Sequence, residues 1–172
     1  MTAADFKEVR AQFKQAAINA MEAGFDGIEL HASNGYLLDS FLHHSTNFRS
    51  DEYGGTPANM CRFVLEVLED VTQAIGDAGK VAIRISPITP SAMEALENKP
   101  EDEQVFIHLL HELNKLGLAY VHLSSDNDFD EKGYLNVKPS TFIRSHYKGM
   151  LIGGGAYSLD LAEQAIIDKE FD

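Results

Sequence analysis

Short apolar runs alternate along the chain with longer segments in which apolar residues recur every three or four positions. The first helical segment carries Phe6, Val9, Phe13, Ala16, Ala17, Ala20 and Met21 at that spacing. Thr2 is placed to cap it, Asp5 to return the capping hydrogen bond, and Gly24 to stop it. DGIELH follows as a short strand. A second helix is expected over 57–76, opened by Pro57 in the favoured first turn and ended by Gly76. KVAIRIS reads as a strand, 101–116 as a helix closed by Gly117, and LAYVHLS as a third strand. A helix near 139–146 precedes a fourth strand, GMLIGG, and Ser158 caps a last helix, SLDLAEQAII.

Helix and strand alternate four times, which implies parallel strands joined by right-handed crossovers. Each strand has one apolar face. Val81, Ile83 and Ile85 oppose Ala82, Arg84 and Ser86; Ile28 and Leu30 oppose Gly27, Glu29 and His31; Val121 and Leu123 oppose Tyr120, His122 and Ser124. A doubly wound sheet, covered on both faces, reads as continuous hydrophobic runs instead. The expected class is therefore α/β, with helices on the outer strand face and polar groups lining a barrel interior. A complete (β/α)8 TIM barrel takes about 250 residues. The 172 residues here read as one domain, a partial barrel of about four βα units.

Composition narrows the class. Hydrophobic residues make up 44%, enough for a core. No segment approaches the roughly 18 consecutive apolar residues of a membrane helix, and the charged N-terminus lacks a signal-peptide pattern. The net charge of −13 excludes the concentrated basic surface that nucleic acid requires. A lone cysteine, Cys61, permits no internal disulfide and suits a reducing compartment. A cytoplasmic protein is the expectation.

Candidate chemistry lies in IELHASNGYLLDSFL. His31 ends a strand, and Asn34 and Tyr36 lie in the loop after it, where barrel enzymes carry their catalytic groups. Histidine and asparagine can each donate a hydrogen bond to one oxygen and stabilise charge developing there. A tyrosine phenol, with an ordinary pKa of about 10, keeps its proton at neutral pH and can act as a general acid. The same residues also suit a plain reading: an Asn34-Gly35 turn, with Tyr36 as a packing anchor.

The surrounding residues favour chemistry. GFDGIELHASNGYLLDSFL followed by TNFRSDEYGGTPANMCRF resembles the old yellow enzyme family of flavin-dependent ene-reductases. The family's His-x-x-Asn-x-Tyr element falls on His31, Asn34 and Tyr36, and its Asn-x-Arg-x-Asp-x-Tyr-Gly-Gly signature on Asn47, Arg49, Asp51, Tyr53, Gly54 and Gly55. VAIRISP is similar to the strand whose arginine meets the flavin, pointing to Arg84, and LIGGGAYS to a phosphate-binding loop, pointing to Gly154 and Gly155. The resemblance, nearest to the bacterial N-ethylmaleimide-reducing branch, implies FMN as cofactor and NADPH or NADH as hydride donor. The implied substrate is an activated alkene (an enone, maleimide or nitro compound). His31 and Asn34 would hold its oxygen, His31 would also contact the flavin, and Tyr36 would protonate it. Met60 departs from the family pattern, standing where a charged residue is usual.

The resemblance covers barrel strands four to seven. Two open edges and a bare inner face are liabilities in water, so a homo-oligomer or a missing barrel half is the expected partner. Two other readings stand beside this one. In one the chain is a catalytically silent fragment that folds or oligomerises without flavin; in the other it is an unrelated phosphate-binding barrel enzyme.

Other signals read as structural. DNDFDEKG, residues 126–133, mimics a calcium loop, but Gly133 and Val137 fall at the wrong positions. No metal site is expected. His108 and His111 have the wrong spacing for a zinc pair and read as surface or half-buried residues. His43 and His44 close a short helix and complement its dipole. His122 reads as a packed barrel histidine, Glu29 is expected to pair with Arg84, and Cys61 is expected to be inert.

Overall fold

The computed structural model describes residues 1–89, 97–129 and 134–172. Helix α1 (Ala3–Glu22) leads to strand β1 (Ile28–Ala32), a 3-10 turn at Asp39–Phe41, helix α2 (Pro57–Ile75) and a second 3-10 turn at Ala78–Lys80. Strand β2 (Val81–Ile85), helix α3 (Asp102–Leu113), strand β3 (Val121–Leu123), helix α4 (Pro139–His146), strand β4 (Leu151–Ile152) and helix α5 (Leu159–Ile167) complete the order. The strands form one parallel sheet in the order β1-β2-β3-β4. This is the expected partial barrel.

The helix ends follow the sequence signals. Thr2 and Asp5 form a reciprocal capping box on α1. Thr56 caps α2 ahead of Pro57, and Gly76 ends it in the left-handed conformation at φ 76°. Ser158 caps α5 by accepting from the Leu161 amide. The expected helix over 101–116 is shorter, ending at Leu113.

Val81, Ile83, Ile85, Val121 and Leu123 are buried with Phe63, Val67, Phe106 and Leu109 of α2 and α3 in one core. Burial of each such side chain contributes about 1.5–3 kcal/mol. Met60 and Cys61 belong to this core as well, and burial pushes the Cys61 thiol far above its ordinary range, so it is inert as expected.

The inward face differs from expectation at one pair. Glu29 bonds not to Arg84 but to His122, Oε2 to Nδ1 at 2.9 Å. Glu29 lies level with Ala82 on β2, whose methyl leaves room to reach β3, while Arg84 lies level with His31 and His122. A second difference concerns the sheet edges. β1 pairs only with β2 among the described residues, but the outer edge of β4 is engaged by Asp172. The Leu151 amide donates to the Asp172 side chain at 2.9 Å, and the Asp172 amide donates to the Leu151 carbonyl at 3.0 Å.

The Asn47–Gly55 signature is a folded bracket. The Asn47 side-chain amide donates to the carbonyls of Phe41 and Tyr53, both at 2.8 Å, and Arg49 pairs with Asp51. The Tyr53 ring stacks on Phe6 of α1 with centroids 3.8 Å apart, and its hydroxyl donates to Glu66 of α2. A side chain at Gly54 would collide with the Arg49 carbonyl, its Cβ lying only 2.3 Å away.

Candidate active site

Four strand ends build the site. His31 lies near the end of β1 with its Nδ1 3.3 Å from the Ser33 hydroxyl, and its ring meets Tyr36 edge-on, centroids 5.1 Å apart at 62°. Asn34 (φ 57°) and Gly35 (φ 74°) are consecutive left-handed residues. This turn swings the loop back over the strand end, and of the L-residues asparagine is among those that tolerate it best.

Asn34 is fixed from both sides. Its amide donates to the Ser86 hydroxyl just past β2 at 2.9 Å, and its side-chain oxygen accepts from the Ser124 hydroxyl just past β3 at 2.8 Å. With its oxygen engaged, the side-chain NH2 is the end left to donate to a ligand. Tyr36 is 59% exposed, so its phenol faces solvent rather than the core. The packing-anchor reading of Tyr36 is thereby removed. Ser86 and Ser124 went unnoticed as site residues in the sequence. The available signal was that both close an inward strand face.

Arg84 is level with His31, and its Nε is buried with no hydrogen-bond partner among the described residues. A buried guanidinium donor left unpaired costs free energy unless a ligand completes it. At the end of β4, the amides of Gly154, Gly155 and Ala156 donate to nothing among the described residues, just ahead of the α5 N-terminus. They border a cleft of about 470 Å³ lined also by Ile166 and Phe171. Free amides before a helix N-terminus are suited to a phosphate.

The glycines here have different causes. A Cβ on Gly155, at φ 120°, would lie 2.7 Å from the Asp128 amide, and one on Gly153 would enter the Phe171 ring at 2.3 Å. Both positions are demanded by packing. On Gly154 the nearest atom would be the Leu123 carbonyl at 3.2 Å. Buried Asp128 braces this loop, accepting from the Ser140 hydroxyl and the Tyr157 phenol, each at 2.5 Å. A cationic donor and a row of amides, all without partners among the described residues, are groups suited to an anionic nucleotide such as FMN.

Beneath the Asn34 turn lies a buried network where the sequence suggested only helix-end histidines. His43 is fully buried, its Nε2 3.2 Å from Asp39 and its Nδ1 3.2 Å from Asp102 of α3. Burial opposes its charge, but hydrogen bonds with Asp102 and Asp39 outweigh this and raise its pKa to about 9. Asp102 is held below the ordinary carboxylate range: burial pushes it up, and the His43, His44 and Lys99 hydrogen bonds together outweigh that. His108 is half-buried and His111 exposed, as expected. No metal-binding group of His, Cys, Asp or Glu exists among the described residues, and residues 130–133 of the acidic loop lie outside them. No described helix is long and apolar enough to cross a membrane.

The sequence profile of the NADH:flavin oxidoreductase / NADH oxidase family matches residues 1–172. The chain is 41% identical over 156 residues to a putative 12-oxophytodienoate reductase 11 of Oryza sativa subsp. japonica, covering 90% of this chain and 41% of the relative. It is 37% identical over 162 residues to 12-oxophytodienoate reductase 2 of Arabidopsis thaliana, covering 93% and 42%. Among solved structures, it superposes on the old yellow enzyme homologue from Zymomonas mobilis with a TM-score of 0.89 and 32% identity, covering 100% of this chain and 48% of that one. Morphinone reductase in complex with tetrahydroNAD gives a TM-score of 0.86 and 33% identity, at 100% and 45% coverage. The chain thus spans less than half the length of these relatives.

Proposed function

The chain belongs to the NADH:flavin oxidoreductase / NADH oxidase family, and on that premise we propose that it forms the substrate-holding and proton-donating part of an FMN-dependent reductase of activated alkenes. NADH or NADPH is the hydride source. One observation carries the reading: His31 at the end of β1, with Asn34 and Tyr36 in the loop after it, lies level with Arg84, whose buried Nε has no partner among the described residues.

FMN, when bound, supplies the hydride that reaches the β-carbon of the alkene. His31 and Asn34 donate hydrogen bonds to the substrate's carbonyl or nitro oxygen and stabilise the negative charge that develops there. Tyr36 gives its phenolic proton to the α-carbon, so the π bond of the alkene is replaced by two C–H bonds, the C–C single bond remains and the conjugation is lost. The exposed phenolate then recovers a proton from water. Arg84 would hold the ring edge of the cofactor as a fixed cation, and the Gly154 and Gly155 amides would receive its phosphate ahead of the α5 N-terminus.

The test is NADPH oxidation by the purified chain with FMN and 2-cyclohexenone. Oxidation that requires both protein and enone supports the reading. A rate equal to free FMN favours a second one, to which the coverage of less than half of each relative lends weight. In that reading the chain folds and associates without flavin.

The open β1 edge and the inward face call for further strands, supplied by a second copy or by the remainder of a barrel. The isolated chain is expected to self-associate at micromolar concentration in light scattering. A monodisperse monomer would contradict this.

A further inference from the structure

The turn that carries Asn34 and Tyr36 is held in an uncommon conformation, two left-handed residues in succession. What holds it converges on one carboxylate. Asp39 Oδ2 accepts from the Gly35 amide at 2.8 Å. Both Asp39 oxygens lie 3.5 Å from the Ser86 hydroxyl, the same hydroxyl that receives the Asn34 amide. Asp39 is fully buried, and a buried carboxylate is costly unless a cation accompanies it.

His43 is that cation, as its ring geometry requires. Both ring nitrogens face carboxylate oxygens at 3.2 Å. A neutral imidazole carries one N–H and could donate to only one of them, whereas the imidazolium donates to both. The far side of the clamp is immobilised. Asp102 also accepts from the His44 amide at 2.8 Å, the His44 ring at 2.7 Å and the Lys99 amide at 3.1 Å. The imidazolium thereby ties the substrate loop to the first turn of α3.

We propose that His43 is a positioning residue for the reaction. Its imidazolium, anchored by Asp102, holds Asp39 where it fixes the Gly35 amide and the Ser86 hydroxyl, and through them Asn34 and Tyr36. The roles of Asn34 and Tyr36 rest on the reductase reading; the clamp itself does not.

The proposal makes the loop pH-sensitive on its alkaline side. The charged groups acting on His43 are Asp102 from α3 and Asp39 from its own turn, with the Phe106 ring packed at 5.3 Å. His44 shares Asp102. Tyr134 donates to the Pro87 carbonyl, and burial together with Asp102, Glu103 and Asp39 keeps its phenol protonated. The Lys99 ammonium is engaged with Glu97. Deprotonation of His43, near its raised pKa of about 9, leaves one carboxylate facing a ring lone pair and releases the Gly35 amide.

The experiment is NMR on the whole chain, following the His43 ring nitrogens and the exchange protection of the Gly35 amide against pH. In the wild type, Gly35 protection should fall about tenfold across the His43 titration, the loss of one charge-assisted hydrogen bond. In His43→Gln it should be low and flat with pH, while the Ile83 amide of the sheet keeps its protection. Asp102→Asn, should His43→Gln fail to fold, must move the His43 midpoint and the Gly35 transition down together. Wild-type protection that ignores the His43 titration, or His43→Gln protection equal to wild type, overturns the proposal. None of these readouts needs flavin. A chain that shows the linked transition but cannot bind FMN upholds the clamp and sinks only the reductase reading. In an active enzyme, kcat should fall with the same alkaline midpoint in the wild type and show no such limb in His43→Gln.

Discussion

Tyr36→Phe is expected to lower enone reduction by about 10²–10⁴-fold, the usual contribution of a positioned general acid. The substitution removes one oxygen from a side chain that is 59% exposed and edge-on to His31, so the fold and the ring contact survive. His31 and Asn34 are untouched, and substrate binding should change little. The loss should therefore appear in kcat rather than KM. Steady-state assay of both proteins on 2-cyclohexenone decides the matter. A variant within twofold of wild type would mean that the proton comes from elsewhere, solvent included.

Asp102→Ala should destabilise the fold by about 3–5 kcal/mol, because it removes one carboxylate of a buried charged cluster and leaves His43 and the His44 amide short of a partner. At roughly 2–4 °C per kcal/mol for a domain of this size, the melting temperature should drop by about 10 °C. Thermal unfolding followed by circular dichroism at neutral pH measures it. A shift below about 2 °C would show that the cluster contributes little.

The same cluster sets a pH dependence. His43 binds its proton more tightly folded, at about 9, than in the unfolded chain, at an ordinary 6.5. Its stabilisation is full below the unfolded value and is lost as pH rises through the folded one. Stability should fall by a few kcal/mol between these limits, with a shallower fall in His43→Gln.

What the sequence revealed follows from how local each signal is. The strand faces were legible because alternation is a property of consecutive residues: Val81, Ile83 and Ile85 are all fully buried. The helix ends at Thr2, Pro57, Gly76 and Ser158 were legible for the same reason. His31, Asn34 and Tyr36 stood out as a polar triplet at a strand end, and the family resemblance gave them their expected roles. Non-local pairings were not legible. His43 meets Asp102 across 59 residues of sequence, so in isolation it read as a helix-end histidine. Face assignment placed Glu29 and Arg84 on the same side, but strand register and the small Ala82 decided that Glu29 bonds to His122. The role of Asp128 beneath the glycine loop depends on Tyr157 and Ser140, which only the fold brings to it.

The proposed function places a flavin against Arg84 and the Gly154–Gly155 loop. The measurement that tests it most directly is titration of FMN into the chain and into Arg84→Met, read by flavin fluorescence and the visible absorption bands. Saturable quenching with shifted bands is expected in the wild type and at least a tenfold weaker affinity in the variant, since the cation proposed to face the flavin is lost. Flavin that remains free at excess protein, or binds both chains equally, would contradict it.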